Sequence, residues 1–284
     1  MNPAVNRAVN PAKSKKVAAN AVALVVALFF AFPTYWMVAT ALKPRKDMLT
    51  SEYDLLPLSV TGTNFATAWT KPGFLQSLGN SLVVTLLAVL AAVVVGLLAA
   101  VPLARMRFRG RKGFVMLMLV AQMAPFEALL IPVFLMMRDL DLLDKLPSLV
   151  LIYFAVTLPF CAWTLRGFVN GIPLELEEAA QVDGCSRWEA FRRVTLPLLG
   201  PGMVATSVFA FVTAWNEFLY ALSLINDQSR QTLPVWLSGF QSQFGTDWGG
   251  AMAASALFTL PVLVFFLIVQ RKMVIGVTAG AVKG

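Results

Sequence analysis

Residues 177–201 read EEAAQVDGCSRWEAFRRVTLPLLGP. The stretch is too polar to cross a lipid bilayer and too patterned to be a slack loop. Pro173 stands where a first helical residue tolerates proline, and Glu175, Glu177 and Glu178 favour the positive end of a helix. Ala179 and Ala180 leave a low, smooth surface. Gly184 permits a left-handed turn that stops the helix. Ser186 followed by Glu189 is a capping box for a second helix, with Trp188, Phe191 and Val194 along one face and Pro197 expected to end it. The expectation is a short helix, a glycine turn and another helix. Such a unit can plug into a groove on a partner at the membrane surface.

Everything around that stretch is apolar. Of 284 residues, 58% are hydrophobic and 13% charged, with mean hydropathy +0.73, where a soluble chain would carry about a quarter charged residues. The apolar residues fall in long blocks, a membrane signature. There is no histidine, and the two cysteines, Cys161 and Cys185, lie in an apolar span and in the polar stretch respectively. A disulfide framework, a metal site and a histidine base are therefore not expected, and no catalytic residue is assigned.

Spans follow from uncharged length, because about 20 residues at 1.5 Å each match a hydrocarbon core of about 30 Å. The intervals are 17–42, 79–104, 113–137 (holding Glu127), 146–165, 194–226 (holding Glu217) and 248–270. They predict an all-α membrane protein with six transmembrane helices. The first interval is too long for the apolar core of a signal peptide and is read as a permanent span. With the amino terminus in the cytoplasm, segments 1–16, 105–112, 166–193 and 271–284 are inside and hold 16 of the 23 basic residues. The net charge of +8 is then an inside-positive bias rather than a nucleic-acid footprint. Arg105, Arg107, Arg109, Arg111 and Lys112 read as a topology determinant, with a phosphate-binding cluster as the alternative. The expected organisation is a cytoplasmic tail (1–16), a six-helix membrane domain (17–276) that includes the polar stretch at about 170–200, and a cytoplasmic tail (277–284). The segment from Lys43 to Lys71 is read as an outer loop.

An ionised carboxylate within a bilayer costs several kcal/mol unless it faces protein or water, so Glu127 and Glu217 are functional candidates. Gln122, Trp215, Asn216 and Tyr220 add hydrogen-bonding and stacking groups nearby. Acids, amides and aromatic rings suit neutral polyols. The structural alternative is that one or both acids bond a neighbouring helix. Gly96, with alanines at 91–92 and 99–100, is expected to allow close helix packing.

Glu178-Ala179-Ala180, Gly184 after three intervening residues, and then Val194, Leu196 and Pro197 resemble the EAA loop of ABC importer permeases. Ala41-Leu42-Lys43-Pro44, Trp215-Asn216-Glu217-Phe218 and the carboxyl end VTAGAVKG (Val277 to Gly284) narrow the resemblance to the maltose-transporter-type carbohydrate permeases. Cys185 departs from the usual alanine but is also small. The resemblance implies the type I importer fold and a complex in the inner membrane of a prokaryote. Its members would be this chain, a second permease subunit as heterodimer partner, two ATPase subunits and an extracytoplasmic solute-binding protein. ATP and magnesium would be bound by the ATPase subunits, in keeping with the lack of a G-x-x-x-x-G-K-[ST] loop in this sequence. Glu178, Ala179, Ala180, Asp183, Gly184, Cys185 and Phe191 would contact an ATPase subunit. Thr278, Ala279, Gly280 and Lys283 would insert between the two ATPase subunits. The implied substrate is a sugar, an oligosaccharide or disaccharide. The alternatives are a glycerol phosphate, a polyamine, or an ion-coupled secondary transporter.

Overall fold

The computed structural model describes residues 11–48, 59–123, 125–242 and 245–281. Its helices are α1 (Pro11–Ala41), α2 (Arg45–Met48), α3 (Thr63–Thr70), α4 (Phe74–Arg105), α5 (Arg111–Met123), α6 (Leu130–Asp139), α7 (Leu146–Gly171), α8 (Glu175–Val182), α9 (Arg187–Ala190), α10 (Leu196–Trp215), α11 (Leu219–Leu224), α12 (Leu233–Ser238) and α13 (Trp248–Ala281). An antiparallel pair, β1 (Gln241–Ser242) and β2 (Gly245–Thr246), is the sheet among the described residues.

The spans at 19–41, 74–105, 146–171, 187–215 and 248–270 are long and apolar enough to cross a membrane, and the bent pair 111–123 with 126–139 makes a sixth if taken as one. That pair corrects the single helix expected over 113–137, because the chain turns by 90° within it. Pro125 supplies the physical reason. It brings no N–H, disfavours helical backbone in the residue before it, and itself stands extended at φ −66°, ψ 105°. A single 3₁₀ turn, Phe126–Leu129, then leads into α6.

The span expected over 194–226 is corrected as well, since α10 ends at Trp215. The Asn216 side-chain amide donates to the Val212 carbonyl at 2.8 Å, and the Asn216 backbone N–H donates to the same oxygen at 3.2 Å. A side chain that competes for the helix's own acceptor favours a break at that point. Glu217 then caps the next helix: its two carboxylate oxygens accept from the backbone N–H of Tyr220 (2.8 Å) and of Ala221 (3.2 Å).

Pro197 does not end its helix. The chain continues from Arg187 to Trp215 through a π turn at Phe191–Thr195, which places the proline in the first turn of α10. Widening by one residue accommodates a position that cannot donate to the preceding turn. Pro173 lies before α8 rather than at its first position, as the helix begins at Glu175.

The chain divides into two compact units, Met1–Trp69 with Phe240–Ala256 and Thr70–Gly239 with Leu257–Gly284. In the first, Asn64 of α3 donates to the carbonyls of Ala41 and Lys43 at 2.8 Å each, closing the end of α1, and the Lys43 ammonium lies 5.3 Å from the Trp36 ring centroid. Residues 49–58 of the expected outer loop lie outside the described residues.

In the second unit α4 packs along α7, and α10 packs against both. The buried stripe of α4 repeats at helical spacing through Val84, Ala88, Ala92, Gly96 and Ala100. At Gly96 the helices touch closely: a Cβ there would lie 2.9 Å from the Cys161 Cβ and 3.1 Å from the Ala162 nitrogen. Small residues permit this approach where lipid supplies no hydrophobic drive between helices.

Candidate functional site

Two sites emerge in the second unit. The first is the polar hairpin α8–α9. Helix α8 ends in a full glycine cap: the Gly184 N–H donates to Gln181 O at 3.1 Å and the Cys185 N–H to Ala180 O at 3.0 Å, with Gly184 at φ +92°. Ser186 opens α9 with the capping box, its hydroxyl accepting from the Glu189 N–H at 3.3 Å while Glu189 Oε2 accepts from the Ser186 N–H at 2.9 Å. Trp188 and Phe191 stack at 5.5 Å.

Of the residues expected to meet an ATPase subunit, Glu178, Ala179, Asp183 and Gly184 are exposed, and Ala180, Cys185 and Phe191 are half-buried. Exposed apolar groups flank them, with Val182 at 87% and Trp188 at 64% exposure.

Adjacent glutamates take different directions. Glu178 faces solvent, while Glu177 Oε1 lies 3.1 Å from the Arg105 guanidinium, both side chains being only 16% exposed. Arg105 also donates to Ile172 O at 2.9 Å. It is the last residue of α4, and its sequence context as one of five clustered cations concealed this pairing. Arg107, Arg109 and Lys112 remain exposed.

The second site is a cavity of about 400 Å³ where the two interrupted spans meet. Glu127, Asn216, Glu217 and Tyr220 line it, together with Phe126, Tyr153, Thr157 and Thr213. The Tyr220 hydroxyl donates to Phe126 O at 2.8 Å, and the two rings lie 4.4 Å apart. Glu217 is occupied in capping α11, a local bond to residues three and four positions on rather than one to a neighbouring span. The Glu127 carboxylate has no hydrogen-bond or ion-pair partner among the described residues and opens on the cavity.

Trp215 and Gln122 are not brought to this cavity. Trp215 is 1% exposed, donates to Phe258 O at 3.3 Å and stacks on Phe211 at 5.5 Å. Gln122 reaches back to Met118 O in its own helix. Tyr153 was not singled out from sequence, although Tyr153 and Thr157 stand one helical turn apart in an uncharged span and so share a face. The Tyr153 hydroxyl is buried beside Glu217 without a partner of ordinary hydrogen-bond geometry. The remaining candidates lie at the carboxyl end: the backbone of Thr278, Ala279 and Gly280 continues α13, and Lys283 is outside the described residues.

Long uncharged helices that enclose a polar cavity and carry a polar hairpin are the parts a membrane permease needs. The chain belongs to the family of binding-protein-dependent transport system inner membrane components, which it matches over residues 92–274. It is 48% identical over 265 residues to the diacetylchitobiose uptake system permease protein DasC of Streptomyces coelicolor, covering 93% of this chain and 96% of that one. It is 37% identical to the trehalose transport system permease protein SugB of Mycobacterium tuberculosis, covering 89% and 92%. The fold is shared with a bacterial ABC transporter that imports the acidic polysaccharide alginate, at TM-score 0.74, 21% identity and coverage of 95% and 99%.

Proposed function

We propose that this chain is the non-catalytic permease subunit of an ATP-driven importer for a neutral disaccharide or oligosaccharide. The observation that carries the substrate class is the lining of the cavity. It offers hydroxyls, an amide, aromatic rings and a carboxylate without a partner among the described residues, and no Lys or Arg in its lining. Such a set accepts hydroxyl donors and stacks on sugar faces. An acidic glycan or a glycerol phosphate would find no counter-charge in it. A polyamine would meet a single uncommitted carboxylate, because Glu217 already accepts two backbone N–H groups. The named relatives that carry diacetylchitobiose and trehalose support the same class.

Translocation also needs an energy source. In this reading α8–α9 faces the cytoplasm and seats in a cleft of an ATPase subunit, with Glu178 meeting a cation there and Ala179 and Ala180 permitting close approach. Residues 278–284 reach between two ATPase subunits, which bind the ATP and magnesium. A second permease subunit completes the pathway, and an extracytoplasmic binding protein delivers the sugar to the outer loops. Both termini lie in the cytoplasm, which places 16 of the 23 basic residues inside.

The test is a ligand screen of the cognate solute-binding protein, followed by ATP hydrolysis of the reconstituted complex. A neutral di- or oligosaccharide should bind and, once loaded, stimulate hydrolysis. Selective binding of a polyamine or an organic phosphate would overturn the substrate assignment.

A further inference from the structure

Helix α8 has a mechanical problem. It is eight residues long and buries none of them, so apolar packing does not fix it to the helices beneath. Its covalent route through α9 leads to α10, and its nearest contacts are with α9 and the π turn that opens α10. On its other side the three residues Ile172, Pro173 and Leu174 join it to α7, but neither route leads to α4.

Arg105 fills the gap. Its guanidinium Nη2 lies 2.9 Å from Ile172 O, just past the end of α7, and 3.1 Å from Glu177 Oε1 in the first turn of α8. One cation therefore joins the last residue of α4, an orphan carbonyl at the end of α7 and an acid at the start of α8. Both side chains are 16% exposed, so water screens the pair less than it would a surface pair. Both contacts are made by the same Nη2, which carries two N–H groups on a rigid planar guanidinium. Glu178 next door is exposed, which leaves one glutamate to anchor the helix and the other to be presented.

We propose that Arg105 is a positioning residue for energy coupling: through Glu177 it clamps α8 to α4 and α7, so that displacement of α8 by the ATPase is delivered to the helices that carry the cavity wall. α7 supplies Tyr153 and Thr157 to that wall, and α4 packs along α7. The inference rests on the reading of α8–α9 as the ATPase dock.

The test uses the complete reconstituted transporter, measuring ATPase co-purification, ATP hydrolysis and sugar moved per ATP. Glu177→Ala breaks the clamp while leaving the Arg105–Ile172 bond, so it is the cleaner variant. Glu177→Ala and Arg105→Ala should retain the ATPase subunits and hydrolysis, while sugar moved per ATP falls about fivefold or more, the range of a typical coupling free energy. Arg105→Lys should fall in between. The exchange Arg105→Glu with Glu177→Arg restores the ion pair but not the bond to Ile172 O, and should recover part of the ratio, above either single reversal, which a role in folding alone does not predict. An unchanged ratio in Glu177→Ala would overturn the clamp, as would a swap no better than either single reversal. Failure of the docking reading looks different: Glu178→Lys would then keep its ATPase subunits and its stimulated hydrolysis.

Discussion

The Tyr220 hydroxyl donates to the Phe126 carbonyl at 2.8 Å with the two rings 4.4 Å apart, so the break in one apolar span is tied to the break in another. Each break alone exposes backbone groups that need partners away from water. Tyr220→Phe keeps the ring contact and removes the bond. It should cost about 1 kcal/mol, read as a lower melting temperature of the purified protein, together with slower uptake. Unchanged melting and uptake would show that the tie is dispensable.

Glu217 acts on the same junction through the backbone. Glu217→Ala removes both acceptors for the Tyr220 and Ala221 N–H groups and should cost about 1 kcal/mol, the usual worth of a cap. Glu217→Gln keeps one acceptor oxygen and should be milder in both stability and uptake. Equal, complete loss with Gln and Ala would instead mark the charge itself as essential.

Gly184 stands at φ +92°, and a Cβ there would meet nothing within 4 Å. The cost of Gly184→Val is therefore backbone strain rather than a clash, about 1–2 kcal/mol. Membrane insertion should be normal, whereas hydrolysis stimulated by sugar-loaded binding protein should drop sharply. Gly184→Asn, which tolerates the left-handed region better, should retain more. Full stimulation in the valine variant would remove the turn from the coupling account.

Asp144 clasps the loop after α11. Its carboxylate accepts from the Asp227 N–H at 2.9 Å and the Asn226 N–H at 2.5 Å, and the Arg230 guanidinium donates to its backbone carbonyl. The bonds from Asp227 and Asn226 hold its carboxyl below the usual range. A lowered folded pKa means the clasp is at full strength above the ordinary aspartate value of about 3.9 and is lost as pH falls through the lower, folded value. Amide exchange over residues 225–231 should be faster in Asp144→Asn than in the wild type at neutral pH. The difference should close as the pH drops below that window. A difference that persists unchanged in acid would assign the protection to something other than the carboxylate.

The polar hairpin was legible because its signals are local. Gly184, Ser186 and Glu189 each specify a turn or cap within a few residues, and the glycine turn and capping box stand where the pattern placed them. Uncharged length found the apolar spans but carries no angle, so neither the 90° turn at Pro125 nor the break at Asn216 follows from it. Pro197 misled in the opposite direction, because a π turn absorbs it and the helix continues. The Arg105–Glu177 pair joins distant elements, and no periodicity in the sequence marks it. Tyr153 was readable in part: a tyrosine and a threonine one turn apart in an uncharged span share a face, though which face meets the cavity is settled only by packing with α10.

The central claim is transport driven by ATP through a coupled permease. It is tested most directly in vesicles holding this chain, its partner permease and the ATPase subunits, with sugar-loaded binding protein outside and ATP inside. Sugar should accumulate with ATP present, continue when proton and sodium gradients are collapsed by ionophores, and stop when ATP is withheld. Uptake that follows the ion gradient and ignores ATP would contradict the account.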